Sequence, residues 1–126
     1  MSKMSGARII IVDDNPNNLT LFTALLKAHG ADVIPLESGE TCLEQVRAKT
    51  PQLILLDIQM PGMDGIATLV SLQAMPEAAG IPVVALTAYA MEGDRERLLA
   101  DGFAGYIAKP IDTRAFPAEI ARYLAS

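Results

Sequence analysis

The sequence offers almost nothing for thiol or imidazole chemistry: its 126 residues hold one cysteine and one histidine. With Cys42 alone, no disulfide can form within the chain, which suits a reducing cytoplasm. A nucleophilic thiol needs a base beside it. Cys42 and His29 fall in different predicted helices, so both read as bystanders, buried or half-exposed. Basic residues form no cluster and the formal net charge is -5, which argues against a nucleic-acid surface. No apolar run reaches the length of a membrane span. Met1 to Ala7 is polar, has no apolar core of a signal peptide, and reads as a flexible N-terminal segment. Neither G-x-G-x-x-G nor a P-loop is present, so nucleotide binding lacks support. Without repeats, linkers or low-complexity stretches, residues 1–126 read as one domain, long enough to bury roughly two-thirds of the surface of its unfolded chain.

What is present is a regular alternation. Arg8-Ile9-Ile10-Ile11-Val12 is a short, β-branched strand pattern, and Asn15-Pro16 after it caps and starts a helix carrying Leu19, Phe22, Leu25 and Leu26 up to Gly30. Asp32 to Leu36 is a weaker strand. Ser38-Gly39-Glu40 opens a helix with Leu43 and Val46. Leu53-Ile54-Leu55-Leu56-Asp57, between Pro51 and the Pro61-Gly62 pair, has the unbroken apolar pattern of a strand buried on both faces. Asp64-Gly65 starts a helix with Ile66, Leu69, Val70 and Leu72. Ile81 to Leu86 is a strand closing on Thr87-Ala88, and a helix through Arg95, Leu98 and Leu99 ends at Gly102. Gly105 to Ala108 is a last short strand. Phe116, Ile120 and Leu124 set an apolar stripe on the final helix, where Pro117 requires either a loose first turn or a start at Pro117 itself.

Five strands alternating with five helices predict an α/β fold: a doubly wound (βα)5, flavodoxin-like sandwich around a five-stranded parallel sheet. The strand order 2-1-3-4-5 follows by analogy with other such sheets, since alternation alone leaves the order open.

Parallel strands bring their carboxyl ends to one edge. There the strands deliver Asp13 and Asp14, Asp57, Thr87 and Lys109. Each has a bland reading alone: an acid near a helix N-terminus, a turn aspartate, a cap, a solvated lysine. Together they form a cleft in which paired carboxylates at ~4 Å repel by about 4 kcal/mol at an effective dielectric near 20. Raised pKa values or a hard divalent cation would relieve this. Mg2+ suits best, because it uses one or two carboxylates, keeps waters and leaves room for phosphate oxygens. Lys109, a point-charge ammonium, suits a phosphoryl oxygen, and Thr87 adds a hydroxyl.

Four stretches in this order, Val12-Asp13-Asp14-Asn15, Leu56 to Gly65, Leu86-Thr87-Ala88 and Tyr106-Ile107-Ala108-Lys109-Pro110, resemble the response-regulator receiver domain of the CheY-like superfamily over essentially the whole chain. Thr87 to Glu96 is most similar to receivers of hybrid kinases and to stand-alone regulators of the DivK type. The resemblance implies that Asp57 takes a phosphoryl group from a phosphohistidine. It implies that Asp14, Asp57 and the carbonyl of Gln59 bind Mg2+, with Asp13 acting partly through water. Lys109, Thr87 and the backbone at Ala88 would hold phosphate oxygens, and the bond before Pro110 would be cis. Thr87 and Tyr106 would form the switch, altering the face of the fourth helix, last strand and last helix; an ordinary surface aromatic is the other reading of Tyr106.

A histidine kinase or histidine phosphotransfer protein is the implied phosphodonor, docking by the first helix (Asn18, Leu19, Phe22) and the cleft edge, with some of these apolar side chains left exposed, although Phe22 reads rather as a core residue. An unidentified downstream protein would use the other face. A cytoplasmic monomer is expected, without nucleic-acid or membrane partners, catalysing only its own phosphorylation and dephosphorylation. Ending just after the last helix, the chain reads as a stand-alone regulator; the alternative is a receiver excised from a hybrid kinase or a longer regulator. A metal-dependent phosphohydrolase is more remote. Aspartyl-phosphate phosphatases carry a second acid two residues after the nucleophile, and Gln59 stands there instead. A flavin protein would place no acidic pair after the first strand.

Overall fold

The structure, a computed structural model, describes residues 4–60, 62–88 and 92–124, with Glu92 described in its backbone only. Pro61, Tyr89, Ala90 and Met91 of the motif stretches lie outside these residues, as do Met1 to Lys3. Among the described residues the order is β1 (Arg8–Val12), α1 (Pro16–Lys27), β2 (Asp32–Leu36), α2 (Gly39–Ala48), β3 (Leu53–Asp57), α3 (Gly65–Gln73), β4 (Val83–Thr87), α4 (Glu92–Asp101), β5 (Gly105–Ala108) and α5 (Phe116–Leu124). All strand pairings are parallel and the order is β2-β1-β3-β4-β5. The expected doubly wound topology is therefore the observed one.

Strand alternation sorts the core into two layers. Ile9, Ile11, Leu53, Leu55, Val84, Leu86 and Ile107 face α1 and α5, which contribute Leu19, Phe22, Leu26, Phe116 and Ile120. Ile10, Val12, Ile54, Leu56, Val83 and Ala85 face Cys42 and Val46 of α2, Leu69 and Leu72 of α3, and Leu98 of α4. Every residue of β3 and β4 is buried, as befits strands covered on both faces. Phe22 and Phe116 stack with ring centroids 5.3 Å apart and lock α1 to α5.

The helix starts are chemically specified. The Asn15 side chain accepts from the amides of Asn17 and Asn18, and Pro16 takes the first helical position. Ser38 and Asp64 cap α2 and α3 in the same manner. At α5, the Asp112 side chain accepts from the Arg114 and Ala115 amides, and its carbonyl from Phe116. The helix thus starts at Phe116, and Pro117 sits in the first turn, where its missing N–H removes no helical bond.

Several expectations need correction. Residues 4–7 are not a flexible lead-in: Met4 and Ala7 are core residues, and the Gly6 amide donates to the Gly30 carbonyl. β4 begins at Val83 and not at Ile81, because the Ile81 amide is spent on Ala78 in the preceding 3-10 turn and Pro82 has no N–H. Val70 and Leu99 point outward, since their helix neighbours Leu69 and Leu98 take the core-facing positions about 100° away. Phe22 takes the core role its pattern favours, but Leu19 is buried as well and is not surplus to packing; the exposed large apolar residue of α1 is Leu21. Placing a charge at Leu19 would therefore disturb the fold itself.

Candidate active site

The parallel register brings the ends of β1, β3, β4 and β5 to one edge, where the chain turns from strand to loop. Asp13 follows β1 directly, and its amide donates to the Leu36 carbonyl of β2, fixing the strand end. Asp13 is fully buried, whereas the next residue, Asp14, is exposed. Asp57 ends β3 and is 4 % exposed. Thr87 ends β4, also buried, and its carbonyl accepts from the Lys109 amide at 2.7 Å. That bond continues the β4–β5 ladder by one step and delivers Lys109 to the same edge. The Lys109–Pro110 peptide bond is cis.

Carboxylate oxygens of Asp13, Asp14 and Asp57 all lie within 4.8 Å of one another. Lys109 reaches across: its Nζ is 2.9 Å from Asp13 Oδ2 and 3.1 Å from Asp57 Oδ2. Asp13 Oδ1 accepts from the Asn15 amide at 2.9 Å, and Oδ2 also from Asn18 Nδ2 at 3.3 Å. Asp57 Oδ1 accepts from the Gln59 amide at 3.0 Å. Asp14 has no hydrogen-bond partner among the described residues.

Three acids against one lysine leave an excess of negative charge when all are ionised. At the observed spacing each carboxylate pair repels by roughly 3–4 kcal/mol at an effective dielectric of 20. The titration of the cleft registers this. Burial is the main cause holding the Asp57 carboxyl above the usual aspartate range, and the Asp13 charge adds to it. The Gln59 amide and Lys109 offset only part of the shift. For Lys109, burial works against the charged form, but Asp13 and Asp57 together outweigh it and raise its pKa above the ordinary lysine value. One ammonium cannot neutralise both buried partners.

The donor set fits a hard cation. It is made of carboxylate oxygens, with a backbone carbonyl at Gln59 close by in sequence. Each carboxylate keeps lone pairs beyond those its hydrogen bonds use. Neither sulfur nor imidazole competes: Cys42 is in the core beneath α2, and His29 is exposed beyond the end of α1.

The sequence model described as the response regulator receiver domain matches residues 9–121. This chain belongs to the receiver family. It is thus a signal-transduction module of the two-component type, and receivers interact with histidine kinases or phosphotransfer proteins. The polar-differentiation response regulator DivK of Brucella ovis is 41% identical over 116 residues, covering 92% of this chain and 94% of that protein. The histidine kinase BarA of Escherichia coli is 41% identical over 115 residues, 91% of this receiver but 12% of the kinase. Among solved structures, the receiver domain of a sensor histidine kinase from Pseudomonas aeruginosa, with magnesium coordinated in its active-site cleft, is 31% identical. It superposes with a TM-score of 0.87 over 97% of this chain and 100% of that one. A chemotaxis protein of Vibrio cholerae, 20% identical, shares the fold with a TM-score of 0.88 over 94% and 99% of the two chains.

Asp13, Asp14, Asp57 and Lys109 thus meet in one receiver cleft, with the Gln59 amide bound to Asp57 and Gln59 itself exposed. Ala88 is exposed at the same edge. Tyr106 lies further back on β5, half-buried, with the Arg95 guanidinium 5.2 Å from its ring centroid. Tyr106 pairs with Ala85 in register, and strand alternation places Thr87 on the same sheet face. Sequence reading missed three supporting residues. Asn18 touches Asp13, and its signal is an amide at the third helical position, from which a side chain can reach back past the cap. Arg95 covers Tyr106 by a long-range contact with no local signal. Gly65 lets α3 start against the site loop: a Cβ there would lie 2.5 Å from Ile58 Cα and 2.6 Å from the Asp57 carbonyl oxygen.

Proposed function

We propose that Asp57 is the phosphoacceptor of this receiver, taking a phosphoryl group from a phosphohistidine with Mg2+ present. A carboxylate oxygen of Asp57 forms the new O–P bond as the N–P bond of the donor breaks and its electron pair returns to the imidazole. The observation that carries this reading is the crowding of three acidic side chains with one lysine at the carboxyl edge of the sheet. Asp14, Asp57 and the Gln59 carbonyl, helped by Asp13, would hold Mg2+, which supplies charge neutralisation at the transferred group. Lys109, the Thr87 hydroxyl and the Ala88 amide orient the phosphoryl oxygens. Gln59 cannot protonate a leaving group, so phosphomonoester turnover is not part of the activity.

The switch runs from Thr87 to Tyr106. Their shared sheet face and the small Ala85 opposite Tyr106 support a ring that moves inward when Thr87 is drawn to the phosphoryl group. The surface of α4, β5 and α5 then changes for a downstream protein. The donor protein docks along α1 and the cleft edge, covering Leu21, which is 41% exposed. No helix among the described residues is long and apolar enough to cross a membrane. The family reading places the receiver in the cytoplasm, acting as a monomer. The likeness to DivK supports a stand-alone regulator; the equal identity to a segment of BarA supports the alternative, a receiver belonging to a hybrid kinase.

Incubation with acetyl phosphate and Mg2+, followed by intact-mass measurement, tests the reading. One added phosphate is expected, absent with chelator and absent in Asp57→Asn. Equal labelling of Asp57→Asn would overturn it.

A further inference from the structure

Asp13 is the most deeply buried charge in the cleft, and its two oxygens are held differently. Oδ1 has the Asn15 amide, a backbone donor set by the start of α1. Oδ2 has Lys109 Nζ at 2.9 Å and Asn18 Nδ2 at 3.3 Å. Lys109 is shared with Asp57, and a dianionic phosphoryl group on Asp57 would compete for its ammonium. With Lys109 drawn away, Oδ2 of a side chain that is 1% exposed would lose its charged donor and have little access to water. Asn18 is the other donor at that same oxygen. Its own placement is rigid: the Asn15 side chain binds its amide at 3.3 Å and Pro16 sets the first helical residue.

We propose that Asn18 is a positioning residue for phosphoryl transfer: its side-chain amide holds Asp13 Oδ2 in place, so that Lys109 is free to turn from Asp13 to the phosphoryl group. This role rests on the phosphoacceptor reading of Asp57. Without Asn18, Asp13 relies on Lys109 alone at Oδ2 and retains it against the incoming group.

Two measurements test this. The first needs neither phosphate nor metal: a double-mutant cycle of Asn18→Leu and Asp13→Ala on unfolding in chelator. A direct hydrogen bond to a buried carboxylate gives a coupling of about tenfold in the folding equilibrium, or ~1.4 kcal/mol. A coupling below about twofold overturns the proposal, since it would mean that Asn18 acts only by filling space. The second is the rate of Asp57 phosphorylation by acetyl phosphate at saturating Mg2+. Asn18→Leu is expected to slow it about tenfold, and Asn18→Gln, which keeps the amide donor, to restore most of the rate. A wild-type rate in Asn18→Leu, or a Gln variant as slow as the Leu variant, overturns the role. A wild-type protein that takes no phosphate sinks the phosphoacceptor reading and this role with it. A phosphorylated wild type with an indifferent Asn18 sinks this role alone.

Discussion

Replacing Lys109 with methionine keeps most of the side-chain volume and removes the one cation that Asp13 and Asp57 share. Each contact, at 2.9 and 3.1 Å, is worth roughly 5 kcal/mol of attraction at an effective dielectric of 20. Most of that offsets the cost of taking the three charges out of water. Breaking a buried pair from one side typically costs ~3–5 kcal/mol. The lower end applies here, because Asp13 keeps its contacts to Asn15 and Asn18 and Asp57 keeps the Gln59 amide. In chelator at pH 8, Lys109→Met should therefore lose about 3 kcal/mol, lowering the melting temperature by about 10 °C for a chain of this size. Mg2+ should then return more stability to the variant than it adds to the wild type, since the divalent ion no longer meets a resident ammonium. Thermal unfolding of both proteins with chelator and with millimolar Mg2+ gives the four values needed. An equal Mg2+ increment in the two proteins would refute the electrostatic account of the cleft.

Asp57 has a folded pKa above its ordinary value of 3.8, so in the metal-free protein its contribution favours the fold fully below that value. The contribution is lost as pH rises through the raised folded value. Asp57→Asn escapes that loss and should melt higher than wild type at pH 8 in chelator, with the gap narrowing toward acid pH. Gly65→Ala drives a Cβ into the backbone after Asp57; urea unfolding should show a loss of about 3 kcal/mol, together with slowed phosphorylation. Burial pushes the Cys42 thiol from 9.0 up to about 12. It should react with thiol reagents only on unfolding, and the fold should lose the stability owed to its neutral form as pH climbs from 9.0 toward 12. Cys42→Ala should flatten that alkaline decline.

The strands were legible because a fully buried parallel strand is an unbroken apolar run. β1, β2, β3 and β5 have the bounds the pattern predicts. β4 slipped by two residues because apolarity alone cannot show that Ile81 is occupied by a turn. The cleft was legible for the same reason as the sheet: chemistry-bearing residues stand directly after apolar runs, and parallel topology gathers those points. Less legible was whatever depends on facing across space. Leu19 and Leu21 are both apolar residues of one helix, and only the way α1 lies on the core decides that the first is buried and the second exposed. Asn18 looked like part of a docking surface because its position at the third helical residue allows it to reach back past the cap but does not say that the Asp13 carboxylate meets it there. The approach of Gly65 to the Asp57 carbonyl is likewise a property of how α3 packs.

The most direct test of the central claim locates the phosphate. Treating the acetyl-phosphate-labelled protein with borohydride reduces an aspartyl phosphate to homoserine, which peptide mass sequencing reads by position. The account predicts homoserine at position 57 when Mg2+ is present and none in chelator. Homoserine at another aspartate, or labelling at position 57 that is indifferent to Mg2+, would contradict it.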